Sequence, residues 1–124
     1  MNIEPAVFAQ RWAGAWNRRD IEAVLVHFDE SVEFSSPVAV AVVGVPTLRG
    51  KASLRDYWTK ALARIESLRF DVRRTAWDPA AGELAIIYDR AVNGKRDRAL
   101  ELLSFDSNGK VVIGEVFYGV TPDP

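Results

Sequence analysis

Glu101 is the residue of this sequence placed most clearly for chemistry. It lies in the run Ala99-Leu100-Glu101-Leu102-Leu103, where a strand would alternate between two faces. If Asn93-Gly94 is a two-residue hairpin turn, Val92 pairs with Lys95, Tyr88 with Ala99 and Ile86 with Glu101. One face then carries Leu84, Ile86, Tyr88, Arg90 and Val92 beside Ala99, Glu101, Leu103 and Phe105. Pairing Phe105 with Val112 extends that face through Gly114, Val116 and Tyr118, with Glu101 opposite Val116. A carboxylate among such neighbours either finds a donor or holds its proton to higher pH, because desolvation penalises the charged form. It can then serve as an acid/base group, or as a structural carboxyl satisfied by Arg90, a tyrosine hydroxyl or an indole N–H. His27 is the one histidine, and imidazole transfers protons well near neutral pH. Its spacing from Val24 leaves it pointing inward or to the flank of its helix, and structural histidines are the commoner case.

Other chemistries find little support. No cysteine is present, so thiol nucleophiles, disulfides and thiolate metal sites are excluded. One histidine without a carboxylate cluster does not make a metal site, and no G-x-S-x-G elbow accompanies it. The glycines at 44, 50, 82, 94 and 109 are isolated turn residues rather than a phosphate loop, so no cofactor is implied. Sixteen Lys and Arg against 17 Asp and Glu leave a net charge of −1, which gives no pull towards nucleic acid or an anionic membrane. The basic patches Arg73-Arg74 and Lys95-Arg96-Asp97-Arg98 read as a solvated rim. A small, mostly apolar molecule is the partner that remains.

The elements that position these groups follow from periodicity. The 124 residues, 48% of them hydrophobic, fit one domain over 1–124 with a sizeable core. Phe8, Trp12, Ala15 and Trp16 repeat at helical spacing after Pro5. Asp20 can cap a second helix bearing Ile21, Val24, Leu25 and Phe28. Val32 and Phe34 alternate in a short strand over 31–35, ended by Pro37. The apolar stretch from Val38 to Pro46 fits an edge strand, a pocket lid or a contact surface. A third helix follows Gly50, with Leu54, Trp58, Leu62 and Ile65 on one face and Tyr57 on its flank. Beyond Ser67 the period drops to two, predicting antiparallel strands near 67–78, 83–93, 96–106 and 110–120. The expected class is therefore α+β, with three N-terminal helices packed on one face of an antiparallel sheet. No basic and apolar leader opens the sequence, and its longest apolar run is too short to span a bilayer, so the expected location is the cytoplasm.

Both sheet faces have work to do. The inner face, with Trp12, Trp16 and Trp58 aimed at it, would make a core or the wall of a cavity that also includes Phe34, Tyr57, Tyr88 and Tyr118. The outer face carries Ala85, Ile87, Asp89, Ala91, Leu100, Leu102, Val111, Ile113, Glu115 and Phe117. That is too apolar for a fully wetted surface, and a homodimer packed sheet to sheet would cover it.

The motifs W-N-R-R-D-I-E-A, V-H-F-D-E-S-V-E-F-S-S-P, L-R-G-K-A-S-L-R-D-Y-W and F-D-S-N-G-K-V-V stand in that order. From about Val7 to Gly119 the sequence resembles the nuclear transport factor 2-like superfamily, and within it SnoaL-like proteins and ketosteroid isomerase. The resemblance implies a cone-shaped, cystatin-like fold: a curved sheet wrapped round three helices, enclosing a pocket for small apolar molecules, usually in a homodimer. It also implies a set of catalytic positions. The isomerase base falls at Ser36, its oxyanion tyrosine at Trp12 and the supporting tyrosines at Phe28 and Trp58, while the carboxylic acid position is kept as Glu101. Steroid isomerisation by that mechanism is therefore not expected. The epoxide hydrolases of the superfamily would need a second inward Asp beside Arg90 and Glu101, and none is evident. Two functions stay open: a non-catalytic pocket that binds a small apolar ligand, slightly favoured, and a cofactor-independent isomerase, cyclase or dehydratase in which Glu101 and His27 exchange protons. The pocket would use Trp12, Trp16, Phe34, Ser36, Tyr57, Trp58, Tyr88, Arg90, Val116 and Tyr118.

Overall fold

Pro5 opens helix α1 (Pro5–Asn17), where its missing N–H costs nothing. The helix buries Ala9, Trp12, Ala13, Ala15 and Trp16 along one stripe. Each fully buried large side chain of this kind stabilises the fold by roughly 1.5–3 kcal/mol. The helix ends in a side-chain clasp: Asn17 Oδ1 accepts from the backbone N–H of Phe70 at 2.8 Å, and its Nδ2 donates to the Phe70 carbonyl at 3.0 Å. That clasp ties α1 to the exposed edge of strand β3 (Leu68–Asp78), which has a neighbour on one side only. The structure is a computed structural model and describes residues 3–122.

Asp20 caps helix α2 (Ile21–Leu25), accepting from the Ala23 N–H at 3.1 Å. The predicted second helix is thereby shortened. His27 lies in a turn and Phe28 begins strand β1 (Phe28–Ser35), which is longer than the 31–35 read from alternation. The apolar stretch that followed as strand, lid or contact surface is a helix, α3 (Pro37–Val43). The Ser36 side chain caps it by accepting from the Val38 N–H at 3.2 Å, Pro37 occupies its first turn, and Gly44 closes it at φ 83°. Four helices, not three, thus precede the long strands. Strand β2 (Thr47–Arg49) and helix α4 (Lys51–Ala63) complete the N-terminal part, and α4 carries an exposed Asp56–Lys60 pair at 3.0 Å.

Strands β4 (Glu83–Val92), β5 (Lys95–Phe105) and β6 (Val111–Tyr118) follow β3 as antiparallel neighbours. The register set by Asn93-Gly94 is the predicted one: Val92 faces Lys95, Tyr88 faces Ala99 and Ile86 faces Glu101. Glu101 also faces Val116 as expected. The complete sheet has the order β2-β1-β6-β5-β4-β3, and β1 runs parallel to β6, so the sheet is mixed rather than wholly antiparallel. Chain order explains this: β6 comes back to β1 after six intervening elements, so the pair is under no hairpin constraint.

A bulge between Ser104 and Phe105 pairs Phe105 with Val111 instead of Val112. Val111 consequently turns inward and is fully buried, not on the outer face where strict alternation put it. This bulge, a second in β3 between Val72 and Arg74, and a register shift in β1 bend the sheet round the helices without closing it. None of the helices among the described residues is long and apolar enough to cross a membrane.

Candidate functional site

The concave side of the sheet and the helices border a partly open cavity of about 100 Å³. From α1 come Trp12 and Trp16, from β1 Phe34, from α4 Tyr57 and Trp58, from β4 Tyr88 and Arg90, from β5 Glu101, and from β6 Val116 and Tyr118. Ser36, at the start of α3, completes the set named from the sequence, and all of these side chains border the same space. Phe70, Val38, Leu62, Ile65, Leu68 and Val92 also line it. Phe70 was the main omission: it packs on Trp12 at 5.5 Å and on Tyr88 at 4.8 Å between ring centroids. Its inward face was legible from alternation with Leu68 and Val72 in β3.

Glu101 is 3% exposed, and burial pushes its carboxyl pKa up to about 8, opposed by the Tyr88 hydrogen bond and the positive field of Arg90. The Tyr88 hydroxyl donates to Glu101 Oε1 at 3.3 Å. Of the donors considered from sequence, the partner is thus the tyrosine. Arg90 is engaged elsewhere: its guanidinium lies 4.5 Å above the Tyr118 ring, and its Nε stands 3.5 Å from Asp97 Oδ1. Neither of those two atoms has hydrogen-bond geometry to a partner, so their contact is an ion pair by proximity. At neutral pH Glu101 is therefore mostly a protonated acid, able to donate a hydrogen bond.

The remaining polar groups gather around Ser36. Tyr57 donates its hydroxyl to Ser36 Oγ at 3.4 Å, and burial raises its pKa to about 12. Burial also raises the pKa of the Tyr118 hydroxyl, which borders the same space. Ser36 Oγ is occupied as the cap of α3, and a hydroxyl there does not supply the carboxylate base of the isomerase pattern. Trp12 Nε1, though buried, has no acceptor among the described residues.

His27 is not part of this arrangement. Its ring packs edge-on against Phe8 at 5.0 Å, in the turn between α2 and β1, and it does not border the cavity. Half-burial, then Lys110 and Arg11, hold its pKa below the usual value. The pairing of Glu101 with His27 that a proton-transfer enzyme would need is absent from the geometry: of the two orientations left open by the sequence His27 does not take the inward one, and its helix stops at Leu25. Among the described residues no three His, Asp or Glu side chains gather to hold a metal ion.

Residues 9–112 match the SnoaL-like domain family. The chain belongs to that family. It is similar to a SnoaL-like protein of unknown function from Burkholderia thailandensis, with 32% identity, 93% of each chain covered and a TM-score of 0.83. More distant solved structures share the fold. A putative ketosteroid isomerase from Kribbella flavida is 16% identical, covering 95% of this chain and 79% of its own, at a TM-score of 0.73. TerC, co-crystallised with polyporic acid, is 17% identical over 94% of this chain and 92% of its own, with a TM-score of 0.77. No curated protein sequence matches. Family membership accounts for the α+β fold, and fold alone does not fix function.

Proposed function

We propose that this SnoaL-like protein binds a small, largely apolar molecule in its interior cavity and holds the polar end of that molecule at Glu101, without catalysing a reaction. The observation that carries this reading is the buried Glu101 bordering a space otherwise walled mostly by aromatic and aliphatic side chains, where burial raises its pKa. A single acid without a second proton-transfer group beside it favours binding over isomerase, cyclase or dehydratase chemistry. TerC, a protein of the same fold, was co-crystallised with polyporic acid, which supports a small organic occupant. Naphthalene tests this, because Trp12, Trp16 and Trp58 border the space and would report its entry by fluorescence quenching. Saturable quenching is expected, and its loss in Ala61→Trp, which fills the cavity from α4. Linear, unsaturable quenching in the unaltered protein would overturn the reading.

A second copy of the chain is the proposed partner of the outer sheet face. That face presents Ile113 at 54% and Phe117 at 47% exposure beside half-buried Ile87, Leu100 and Leu102. Its charges are largely paired within the face, Arg73 and Arg98 with Asp89 and Arg49 with Glu33, so the apolar centre is the part that a two-fold copy would cover. Sedimentation equilibrium at micromolar concentration is expected to give a dimer, dissociated by Phe117→Glu; a monomeric unaltered protein would exclude it.

A further inference from the structure

Arg90 is the one cationic side chain lining the cavity, and it donates no hydrogen bond among the described residues. Its guanidinium carbon stands 4.5 Å from the Tyr118 ring centroid, and its Nε lies 3.5 Å from Asp97 Oδ1 without hydrogen-bond geometry. Nε is the nitrogen of Arg90 that is sealed off without a partner, so the two Nη groups keep an open side. A planar fork of N–H donors is thus left unused.

The counter-charge is missing on the cavity side. Asp97 does not line the space, and the one acid that does, Glu101, holds its proton up to about 8. Tyr57 of α4, Tyr88 of β4, Glu101 of β5 and Tyr118 of β6 all feel the positive field of Arg90, and in each of them burial outweighs it. At neutral pH these wall groups therefore leave the guanidinium without an anion inside the cavity. An occupant can supply one.

The position of Arg90 decides where that charge would sit. Ile86 stands opposite Glu101 in the ladder, so Arg90 lies four residues farther along β4, roughly 13 Å at strand spacing. The Arg90 side chain is 17% exposed and also borders a surface cleft with Arg69, Asp71, Asp89 and Arg96, whereas Glu101 is 3% exposed. The two residues belong to different levels of the space, Glu101 to the interior and Arg90 to the mouth. A negative group at the mouth keeps part of its water, so it escapes the desolvation that holds the proton on Glu101. Resting on the ligand-binding reading above, we propose that the occupant is an amphipathic carboxylic acid, its apolar frame among Trp16, Trp58 and Phe70 and its carboxylate at the mouth on the Nη groups of Arg90. A flat carboxylate matches the flat fork with two parallel hydrogen bonds, which leaves Arg90 between the ligand and Asp97. A phosphate dianion would add repulsion against Asp97, and an ammonium group would meet Arg90 with the wrong sign.

Naphthalene, 2-naphthoate and 2-naphthylmethylamine share one frame and differ in charge. Tryptophan quenching at pH 7 is expected to give 2-naphthoate an affinity about tenfold or more above naphthalene, the size of a charge-assisted contact, and to give the amine none of that gain. Arg90→Leu should bring 2-naphthoate down to the affinity of naphthalene, and Arg90→Lys, which keeps the charge but loses the fork, should retain only part of the advantage. Asp97→Asn releases Arg90 from its ion pair and should increase the advantage, opposite in sign to the loss expected if the pair served stability alone. It also covers the case in which Arg90→Leu does not fold. Glu101→Gln should change the affinities of 2-naphthoate and naphthalene by a similar factor, because the carboxylate is held at the mouth. Equal affinity for these two probes in the unaltered protein, an advantage kept in Arg90→Leu but lost in Glu101→Gln, or tightest binding of the amine would overturn the carboxylate site and leave the ligand-binding reading standing. Failure of naphthalene and 2-naphthoate alike would remove both.

Discussion

Glu101→Gln is expected to stabilise the protein at pH 8 and to do little at pH 4. In the unfolded chain the carboxyl loses its proton near its ordinary value of 4.5, whereas in the folded protein it holds the proton up to about 8. Between those values the native state binds the extra proton, so stability falls as pH rises, by roughly 1.4 kcal/mol per unit. Over the whole window the loss approaches about 4–5 kcal/mol, an order-of-magnitude figure that structural relaxation around an ionised Glu101 would reduce. Glutamine is neutral throughout and keeps an oxygen for the Tyr88 hydroxyl. Its benefit should therefore grow steadily from pH 5 to pH 8 and level off above that. His27 has the opposite sign: its lowered pKa makes stability rise with pH through the usual imidazole range. Because His27 is present in both proteins, subtracting their urea-denaturation free energies at each pH cancels it. A difference that does not change between pH 5 and pH 8 would mean that Glu101 is ionised in the folded state, and the donor role assigned to it would fall.

The long hairpins were readable because their signals are local. Asn93-Gly94 fixes the pairing of β4 with β5, and once that register is set, alternation carries Glu101 to the inner face with Tyr88 and Arg90 on the neighbouring strand. The aromatic wall followed from the same logic, since Trp12, Trp16 and Trp58 repeat at helical spacing. What escaped depended on features that override the pattern. Valine-rich residues 38–43 have the composition of a strand, yet Ser36, Pro37 and Gly44 supply a cap, a first-turn proline and a left-handed stop, and these end signals win over the modest helix penalty of valine. The bulge at Ser104 and Phe105 leaves no mark in the sequence, and it reversed the side on which Val111 lies. The second helix was extended three residues past Leu25, where a turn instead sends the chain into β1. The acid was thus legible, while His27, whose spacing left it inward or on the flank, is placed by that turn beside Phe8.

Gly114→Val should both destabilise the fold and close the cavity. A Cβ added at Gly114 would stand 2.7 Å from Phe34 Cδ2, 3.0 Å from Phe34 Cε2 and 3.4 Å from Leu103 Cδ2. Phe34 cannot retreat into the core, because Phe28 and Trp58 lie against it at 6.5 and 5.5 Å between ring centroids and Phe34 itself is 2% exposed. The space left to it is the cavity that it lines. Overpacking of this kind costs about 1–3 kcal/mol, and the valine methyls put this case towards the upper part of that range. Saturable naphthalene quenching should be lost at the same time, even at temperatures where the variant is folded. Phe34→Leu in the same chain relieves the clash, so the double variant should recover stability beyond the sum of the two single changes, a coupling expected for side chains in direct contact. Additive effects would show that the strand, rather than the Phe34 ring, moves to accept the new side chain. In that event the cavity would keep its volume and naphthalene would still bind.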